Sequence, residues 1–287
     1  MTAIVLNHPD ASQVRDDVVR ALAEDIGTGD VSAQLLPDRP AQAIVLAREP
    51  GLLAGSAWFT ACFAALDAQA LVRWSRDEGQ WFAATDTVCT VQANLRALLS
   101  AERSALNFLQ TLSATATATA AYVAALQGTC TRVLDTRKTL PGLRYAQKYA
   151  VRAGAGCNHR LGLYDAAMIK ENHILAAGSI ANAVRAARQG GHSLPIIVEV
   201  ESLDQLAQAL ACAPARIVLD NFTLADMRRA VVQVAGRVAI EVSGGIDLGN
   251  ARAIADTGVD FISVGAITKH VRAIDFSLRL RAADAPS

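Results

Sequence analysis

From Thr131 onwards, short apolar runs alternate with stretches that have helical spacing. The runs lie at 133–134, 166–169, 196–200, 217–219, 238–242 and 261–264, and the helical stretches between them include 180–188, 203–210 and 224–234. Repeated strand–helix alternation predicts parallel strands with helices outside the sheet. About six strands are predicted, fewer than the eight of a closed α/β barrel. We therefore expect an incomplete, open TIM-like α/β barrel.

The residues before this region follow a different pattern. Helical spacing is found at 11–25 and 94–112, and short strands are predicted at 43–48, 70–75 and 87–92. The first part of the chain is therefore predicted to be α+β. The segment 113–125 is rich in Ala and Thr, and small residues at helical spacing allow close packing, so a packed helix is favoured over a linker.

Composition excludes several classes of protein. The 287 residues carry a formal net charge of +0, which argues against a general nucleic-acid binder. No apolar run is long enough to span a bilayer, and residues 1–10 lack the features of a secretory signal. The five cysteines form no C-x-x-C pair, which argues against a disulfide framework or a zinc site, and each is expected to be a small core residue. We expect a cytoplasmic protein without membrane or nucleic-acid partners.

Charge is unevenly distributed along the chain. Between residues 132 and 173 the acidic residues are only Asp135, Asp165 and Glu171. The basic residues there are Arg132, Arg137, Lys138, Arg144, Lys148, Arg152, Arg160 and Lys170. A local cationic surplus in a neutral protein predicts a pocket for a small, highly charged anion. Lys148 and Arg152 are expected instead to lie on solvated helix faces.

Polar and glycine residues follow nearly every predicted barrel strand, where α/β barrels carry their sites. Two glycine groups, 243–245 and 264–266, each precede a predicted helix, the first near Asp247, and together predict a phosphate site. Glu199 and Asp220 end two further strands. These carboxylates could balance the cations, bind ribose hydroxyls, hold Mg²⁺ or stabilise an oxocarbenium-like transition state. For His173, structural hydrogen bonding is favoured over a catalytic role.

One long motif carries a family resemblance. The segment 135–174, DTRKTLPGLRYAQKYAVRAGAGCNHRLGLYDAAMIKENHI, closely resembles the quinolinate phosphoribosyltransferases, also called carboxylating nicotinate-nucleotide pyrophosphorylases. Further matches lie at 24–30, 102–108, 198–201, 219–221 and 241–246, so the resemblance covers nearly the whole chain in order. It implies an N-terminal α/β sandwich domain at 1–112 and a barrel domain at 113–272, with the tail 273–287 packed back on the first domain. It also implies a homodimer with shared sites, or a higher oligomer.

The resemblance also assigns ligands to individual residues. Contacts to the quinolinate carboxylates are implied for Arg137, Arg160 and Lys170, with His159 lining the pocket and Arg103 donated by the neighbouring subunit. Contacts to the phosphoribosyl group, its pyrophosphate and Mg²⁺ are implied for Lys138, Glu199 and Asp220, with Thr136 beside them. The 5′-phosphate cradle is expected to comprise Ser243, Gly244, Gly245, Val264, Gly265 and Ala266. Of these residues, Lys138, Lys170, Glu199 and Asp220 are the expected catalytic set.

The implied reaction is pentosyl transfer in NAD biosynthesis. Phosphoribosyl pyrophosphate and quinolinate would give nicotinate mononucleotide, pyrophosphate and CO₂, with Mg²⁺ bound mainly through the substrate and no tightly bound organic cofactor. Two departures from the family pattern, at Ala155 and at Lys269-His270, lie beside the charged motifs and bear on affinity more than on reaction type.

Three alternatives are weighed against this function. A related family encoded beside molybdate transport shares the Arg-Lys and His-Arg motifs, but the stretch 168–174 fits the quinolinate enzymes better. A lyase could use Lys170 as a Schiff-base nucleophile, although a carbonyl substrate needs no dense cation cluster. A non-catalytic nucleotide-binding regulator would bind product tightly without turnover.

Overall fold

The computed structural model describes residues 6–190 and 194–281. The chain divides into two compact units, neither of which is continuous in sequence. The first unit combines Met1–Ala120, Leu140–Ala155 and His270–Ser287, and the second combines Ala121–Thr139 and Gly156–Lys269. The domain boundaries predicted from the sequence stay a prediction, and residues 282–287 of the predicted C-terminal tail lie outside the described residues.

The described residues form ten α-helices and twelve strands. The helices are α1 (Ala11–Ile26), α2 (Ser56–Leu66), α3 (Leu95–Ala125), α4 (Arg144–Ala153), α5 (Glu171–Ala177), α6 (Ile180–Gln189), α7 (Leu203–Ala211), α8 (Leu224–Val234), α9 (Ala251–Ala255) and α10 (Ala266–Lys269). The strands are β1 (Pro40–Ala47), β2 (Gly51–Leu52), β3 (Leu71–Trp74), β4 (Trp81–Phe82), β5 (Thr87–Asn94), β6 (Arg132–Leu134), β7 (Ala167–Ile169), β8 (Ile196–Val200), β9 (Arg216–Asp220), β10 (Ala239–Ser243), β11 (Phe261–Ser263) and β12 (Phe276–Leu280).

The first unit is built on a four-stranded antiparallel sheet. Its strand order is β12-β1-β5-β3, so the last strand of the chain pairs with the first, placing Val45 opposite Leu278. Alternate residues of β1, Ala43, Val45 and Ala47, are fully buried, as expected for a strand with one face on a core. The predicted strands 43–48, 70–75 and 87–92 correspond to β1, β3 and β5, which confirms the α+β pattern.

Helix α3 is one continuous helix of 31 residues. The Ala/Thr-rich segment 113–125 is therefore helical, as predicted, and continues the helix predicted at 94–112. Thr115 and Thr119 each donate their hydroxyl to the carbonyl four residues earlier, so these buried hydroxyls find their acceptors within the helix itself. A Cβ on Gly154 would overlap the carbonyl oxygen of Ala116, which shows how closely the end of α4 approaches this small-residue stretch.

Two expectations about buried side chains are wrong. Lys148 is 3% exposed and lies within α4 rather than on a solvated face. Cys130 is exposed, whereas Cys62 and Cys89 are buried core residues as predicted, and burial raises the pKa of the Cys62 thiol to about 12. All five cysteines are free.

The second unit contains a six-stranded, wholly parallel sheet of order β6-β11-β10-β9-β8-β7. Its strands are covered on both faces and read as apolar runs for that reason, which is why all six were predicted from the sequence. Fully buried residues from neighbouring strands, such as Val198, Val218 and Ile262, form its core. Within the described residues β6 and β7 are the two ends of the sheet, so the barrel is open, as predicted.

The outer edge of β6 is covered by a short segment around Cys157. A parallel bridge pairs Leu134 with Cys157; the Cys157 amide donates to Val133 and the Asp135 amide donates to Cys157. The chain therefore passes the end of β6 twice, once before Thr136 and once before Asn158.

None of the helices in ranges 6–190 and 194–281 has both the length and the apolar character needed to cross a membrane.

Candidate active site

The predicted site residues of the second unit lie at the edge of its parallel sheet that is formed by the carboxyl ends of the strands. Because parallel strands all end at the same edge, the residues that follow β6, β7, β9, β10 and β11 are neighbours in space. These residues are Thr136, Lys138, Lys170, Asp220, Gly244 and Gly265. Arg103 lies on α3 in the other unit, where its predicted contribution to a neighbouring subunit stays a prediction.

Lys170 and Glu199 form an ion pair at the ends of β7 and β8. The Lys170 Nζ lies 2.7 Å from Glu199 Oε2, and the lysine side chain is 45% exposed whereas the glutamate is 11% exposed. The Lys170 amide donates to Nδ1 of His173 over 3.2 Å, which fixes the first turn of α5. His173 thus makes structural hydrogen bonds, the role favoured from the sequence. Lys170 remains accessible from solvent while its ammonium is held by a carboxylate.

The loop after β6 lies against Gly265. A Cβ on Gly265 would stand 2.9 Å from Lys138 Cδ and 3.4 Å from Thr136 Oγ1, so the glycine lets the Lys138 side chain lie directly against it. The Lys138 amide donates to Thr136 Oγ1 over 3.0 Å, and Thr268 donates its hydroxyl to the Lys138 carbonyl over 2.8 Å. Thr136 and Lys138 are therefore fixed beside the end of β11.

The glycine loop after β10 lies against Asp220. Gly244 and Gly245 have φ angles of 91° and 59°, and a Cβ on Gly244 would stand 3.0 Å from Asp220 Oδ1. In ranges 6–190 and 194–281, the amides of Gly244, Gly245 and Gly265 donate to no protein acceptor. Consecutive glycine amides in left-handed conformation can form a concave anion site.

One detail beside the predicted phosphate cradle is wrong, and one residue of the cradle has its amide engaged elsewhere. The helix expected near Asp247 begins at Ala251, because the Asp247 carboxylate accepts hydrogen bonds from the Gly249 and Asn250 amides and forms a turn first. The Val264 amide donates to the Leu134 carbonyl over 2.9 Å, so it belongs to the strand ladder. The Val264 amide is therefore already engaged, and the contribution of Val264 to the cradle stays a prediction.

Asp135 anchors the segment that carries His159 and Arg160. Its buried carboxylate accepts the Asn158 side-chain amide over 2.6 Å and the His159 backbone amide over 2.8 Å. Arg160 donates from Nη1 to the Ala166 carbonyl over 3.0 Å. Burial lowers the pKa of the Arg160 guanidinium, and the neighbouring charge of Arg137 lowers it further, whereas Asp165 acts in the opposite direction. Arg137 and Arg160 are thus close enough to repel, which favours an anion between them.

Carboxylates collect on the other side of the same edge. The pKa of Glu201 is raised, first by a hydrogen bond with Glu171 and then by desolvation and by the charges of Glu171, Asp220 and Glu199. The predicted residues are therefore divided into a cationic side, at β6 and the segment before β7, and an acidic side at β8 and β9. Lys170, at the end of β7, is paired with Glu199 of the acidic side.

The sequence prediction considered residues at the ends of strands and therefore missed residues inside them. Glu241 lies in the middle of β10, is 1% exposed, and contacts both His159 and Arg216. Arg216 is the first residue of β9. A signal was present, because Arg216, Val218 and Asp220 alternate on one face of β9, and Glu241 alternates with Ser243 on β10 in the same register.

A separate cleft of about 700 Å³ lies in the first unit and is lined by residues of β1, β3 and β5 together with Asp38 and Arg281. Its lining mixes amides, carboxylates and arginines without the grouping of cations found at the strand ends. The volume of a cleft alone therefore does not identify the functional site of this protein.

Comparison with known families shows to which family the chain belongs. A model of the N-terminal domain of quinolinate phosphoribosyl transferase matches residues 30–113, and a model of its C-terminal domain matches residues 115–279. The chain belongs to the quinolinate phosphoribosyltransferase family. The two matches follow one another along most of the chain and include every strand-end residue described above.

Individual members of the quinolinate phosphoribosyltransferase family resemble the chain over nearly its full length. Nicotinate-nucleotide pyrophosphorylase (carboxylating) of Mycobacterium leprae is 44% identical over 279 residues, covering 93% of this chain and 96% of that protein. The Homo sapiens protein of the same name is 38% identical over 247 residues, covering 84% and 82%. The solved structure of nicotinate-nucleotide pyrophosphorylase from Francisella tularensis superposes with a TM-score of 0.92 at 46% identity, covering 96% of this chain and 99% of that one.

Proposed function

We propose that this protein transfers the phosphoribosyl group of phosphoribosyl pyrophosphate to quinolinate and decarboxylates the product, giving nicotinate mononucleotide, pyrophosphate and CO₂ for NAD biosynthesis. The observation that carries the proposal is the gathering of Arg137, Lys138, Arg160 and Lys170 at one sheet edge beside the carboxylates of Glu199 and Asp220. Fixed cations are costly to hold together without an anionic ligand. The family membership supports the same reaction.

On this proposal, quinolinate binds on the cationic side. Arginine forks hold a carboxylate through two parallel hydrogen bonds, so the paired Arg137 and Arg160 suit one carboxylate each. Lys170 contributes a point charge, for which the quinolinate carboxylate must compete with Glu199 at 2.7 Å. His159 lines the pocket, and Arg103 comes from the neighbouring subunit of a homodimer.

Phosphoribosyl pyrophosphate binds along the remaining strand ends. Lys138, beside Thr136 and Gly265, faces the phosphate oxygens, and Glu199 and Asp220 accept hydrogen bonds from ribose hydroxyls. The 5′-phosphate lies at residues 243–245 and 264–266. This assignment is supported by the unused amides of Gly244, Gly245 and Gly265 in the part of the chain that the structure describes.

Mg²⁺ fits this site as a companion of the substrate. No group of three or more His, Cys, Asp or Glu side chains in ranges 6–190 and 194–281 could hold a metal ion. Magnesium commonly uses one or two carboxylates and completes its shell with phosphate oxygens and water. Glu199 and Asp220 would supply those carboxylates, and the ion would neutralise charge on the pyrophosphate.

The protein's contribution to the reaction is to position and screen charge. The quinolinate ring nitrogen forms a bond to C1 of the ribose while the C1–oxygen bond breaks and pyrophosphate departs with the electron pair. Fixed cations screen the repulsion between the anions without reorganising, and the two carboxylates Glu199 and Asp220 stabilise positive charge on the ribose. The ring nitrogen is then a pyridinium, which accepts the electrons of the adjacent carbon–carboxylate bond as CO₂ leaves, and a proton from solvent replaces it.

The experiment is incubation with quinolinate and phosphoribosyl pyrophosphate while CO₂ and nicotinate mononucleotide are measured. We expect stoichiometric formation of both. With nicotinate, which has a single carboxylate, we expect a loss of kcat/KM of about 10⁴-fold, because one cationic subsite stays unpaired. Equal turnover of the two pyridines would contradict the proposal.

Tight product binding without turnover would favour a regulator, and borohydride trapping of a carbonyl substrate on Lys170 would favour a lyase. The cytoplasmic location stays a prediction.

A further inference from the structure

A buried group of charged side chains lies inside the barrel sheet, below the strand ends. Glu241 Oε2 accepts from Arg216 Nη1 over 2.8 Å and lies 3.4 Å from His159 Nε2. Glu241 is 1% exposed and His159 is 7% exposed. Burial by itself would raise the pKa of the Glu241 carboxyl, but a hydrogen bond from His159 and the electrostatic attraction of that residue, with hydrogen bonds from Arg216 and Ser263, outweigh burial and lower it. The carboxylate is therefore charged and accepts hydrogen bonds from these neighbours.

The partners of the His159 ring define which of its two nitrogens accepts a hydrogen bond and which faces Glu241. Its Nδ1 lies 2.7 Å from the Arg160 backbone nitrogen, which can only donate, so Nδ1 is an acceptor. The ring proton is therefore on Nε2, the nitrogen that faces Glu241. A carboxylate in this position selects one tautomer and one ring orientation, as carboxylates do for histidines at other sites.

The partners of Glu241 are themselves held in place. The Arg216 guanidinium stacks on the Phe261 ring at 4.6 Å, and the Arg132 guanidinium stacks on the same ring at 4.8 Å. Arg216 supplies a fixed positive charge beside Glu241. At the other end, the His159 backbone amide donates to the buried Asp135. His159 is thus fixed by one carboxylate through its backbone and by another through its ring.

We propose that Glu241 is a positioning residue for the pyridine substrate. Arg216 holds Glu241, and Glu241 fixes the His159 ring. That ring accepts the Arg160 backbone amide and so sets the direction of the Arg160 side chain. This inference rests on the proposed function, because it takes His159 and Arg160 as the residues beside the quinolinate carboxylates. Glu241 and Arg216 touch no substrate on this view. Their effect reaches the pyridine through a chain of three hydrogen-bonded groups.

The test compares Glu241→Gln with the wild-type protein. We expect the Kd and KM for quinolinate to rise on the order of tenfold to a hundredfold, the range for displacement of a binding group by remote change. The KM for phosphoribosyl pyrophosphate should change by less than about twofold, since its ligands do not contact His159. A general loss of barrel structure would raise both constants.

Asp260→Asn is the matched control. The Asp260 carboxylate accepts the Ile240 amide over 2.7 Å, so this variant makes the same chemical change in the same sheet beside the residue preceding Glu241. It should leave the ratio of the two KM values unchanged. His159→Asn, which leaves the Arg216–Glu241 pair intact, should reproduce the quinolinate defect, and the double variant Glu241→Gln, His159→Asn should be no worse than His159→Asn alone.

The ring tautomer gives a readout that needs no activity. In ¹⁵N NMR of the histidine side chains, the wild-type His159 should be a single Nε2–H tautomer, and Glu241→Gln should show a mixture or a shifted resonance. An unchanged His159 spectrum, equal rises in both KM values, or full additivity in the double variant would each overturn the inference. If the wild-type protein binds no quinolinate, the proposed function fails; if it binds quinolinate and Glu241→Gln binds it equally well, only the positioning role fails.

Discussion

Arg137 and Lys138 are adjacent in the chain but have different surroundings. Arg137 is close enough to Arg160 to lower the pKa of that guanidinium, whereas the Lys138 side chain lies against Gly265. Lys138→Ala should therefore weaken mainly the binding of phosphoribosyl pyrophosphate, and Arg137→Ala mainly that of quinolinate. Isothermal titration with each substrate measures both effects. If neither variant altered the affinity for either substrate, the strand-end pocket would be misplaced.

Gly265 allows a second prediction about one residue. A methyl group there would stand 2.9 Å from Lys138 Cδ, and a flexible lysine side chain will move aside rather than unfold the protein. Gly265→Ala should keep the melting temperature and raise the KM for phosphoribosyl pyrophosphate on the order of tenfold, because the lysine charge is displaced.

The control for this variant is Gly190→Ala. Gly190 follows α6, and a Cβ there would meet no heavy atom closer than 3.5 Å. The same chemical change should leave both KM values at their wild-type levels. A Gly265→Ala enzyme with unchanged kinetics would mean that Lys138 is not held in position by this contact.

Among the elements, β12 belongs to the core of the first unit although its partner β1 lies almost the whole chain away. Phe276 is buried and its ring lies 5.4 Å from that of Phe82, on the edge strand that pairs with β1. Phe276→Ala should lower the free energy of unfolding of the first unit by about 3 to 5 kcal/mol, the usual range for removing a buried aromatic ring. Leu280→Ala, on the exposed end of the same strand, should stay within about 0.5 kcal/mol of wild type. Urea denaturation compares the two, and equal losses would argue against this core contact.

Some elements could be predicted from sequence and others could not. The six barrel strands were found because burial on both faces makes them continuous apolar runs. The two-residue strands β2 and β4 were missed because they are too short for any periodic signal. The tail 273–287 was expected to pack on the first domain, but β12 was not predicted as a strand because its partner lies almost the whole chain away. The start of α9 was misplaced because Asp247 forms a turn that composition alone cannot distinguish from a helix cap.

The site was predictable for the same reason as the strands, and incompletely so. Strand ends follow directly from the apolar runs, so Lys170, Asp220 and Gly265 were placed at one edge. Glu241 sits inside a run, where the strand-end rule assigns no function. Arg216 and Glu241 come together only because β9 pairs with β10, and the sequence of neither strand determines which strand it pairs with.

For the whole molecule, the sharing of sites between subunits can be tested by complementation. If Arg103 reaches the barrel of a neighbouring subunit, Arg103→Ala and Lys170→Ala should each be nearly inactive, yet mixed dimers should hold one complete site of two. Random pairing makes about half the dimers mixed, so roughly a quarter of wild-type activity should return after co-refolding. Native mass spectrometry verifies the mixing. A mixture as inactive as its parents, with mixed dimers present, would place Arg103 in its own barrel.

The pairing of β12 with β1 has a consequence for the making of the protein. At a synthesis rate of about 5 to 20 residues per second, β1 waits roughly ten to fifty seconds for the strand that covers its outer edge. During that time the nascent chain presents an uncovered strand edge that can pair with other polypeptides. Messages truncated before β12 would therefore yield chains prone to aggregate, and chaperones on the ribosome have a defined segment, β1, to protect.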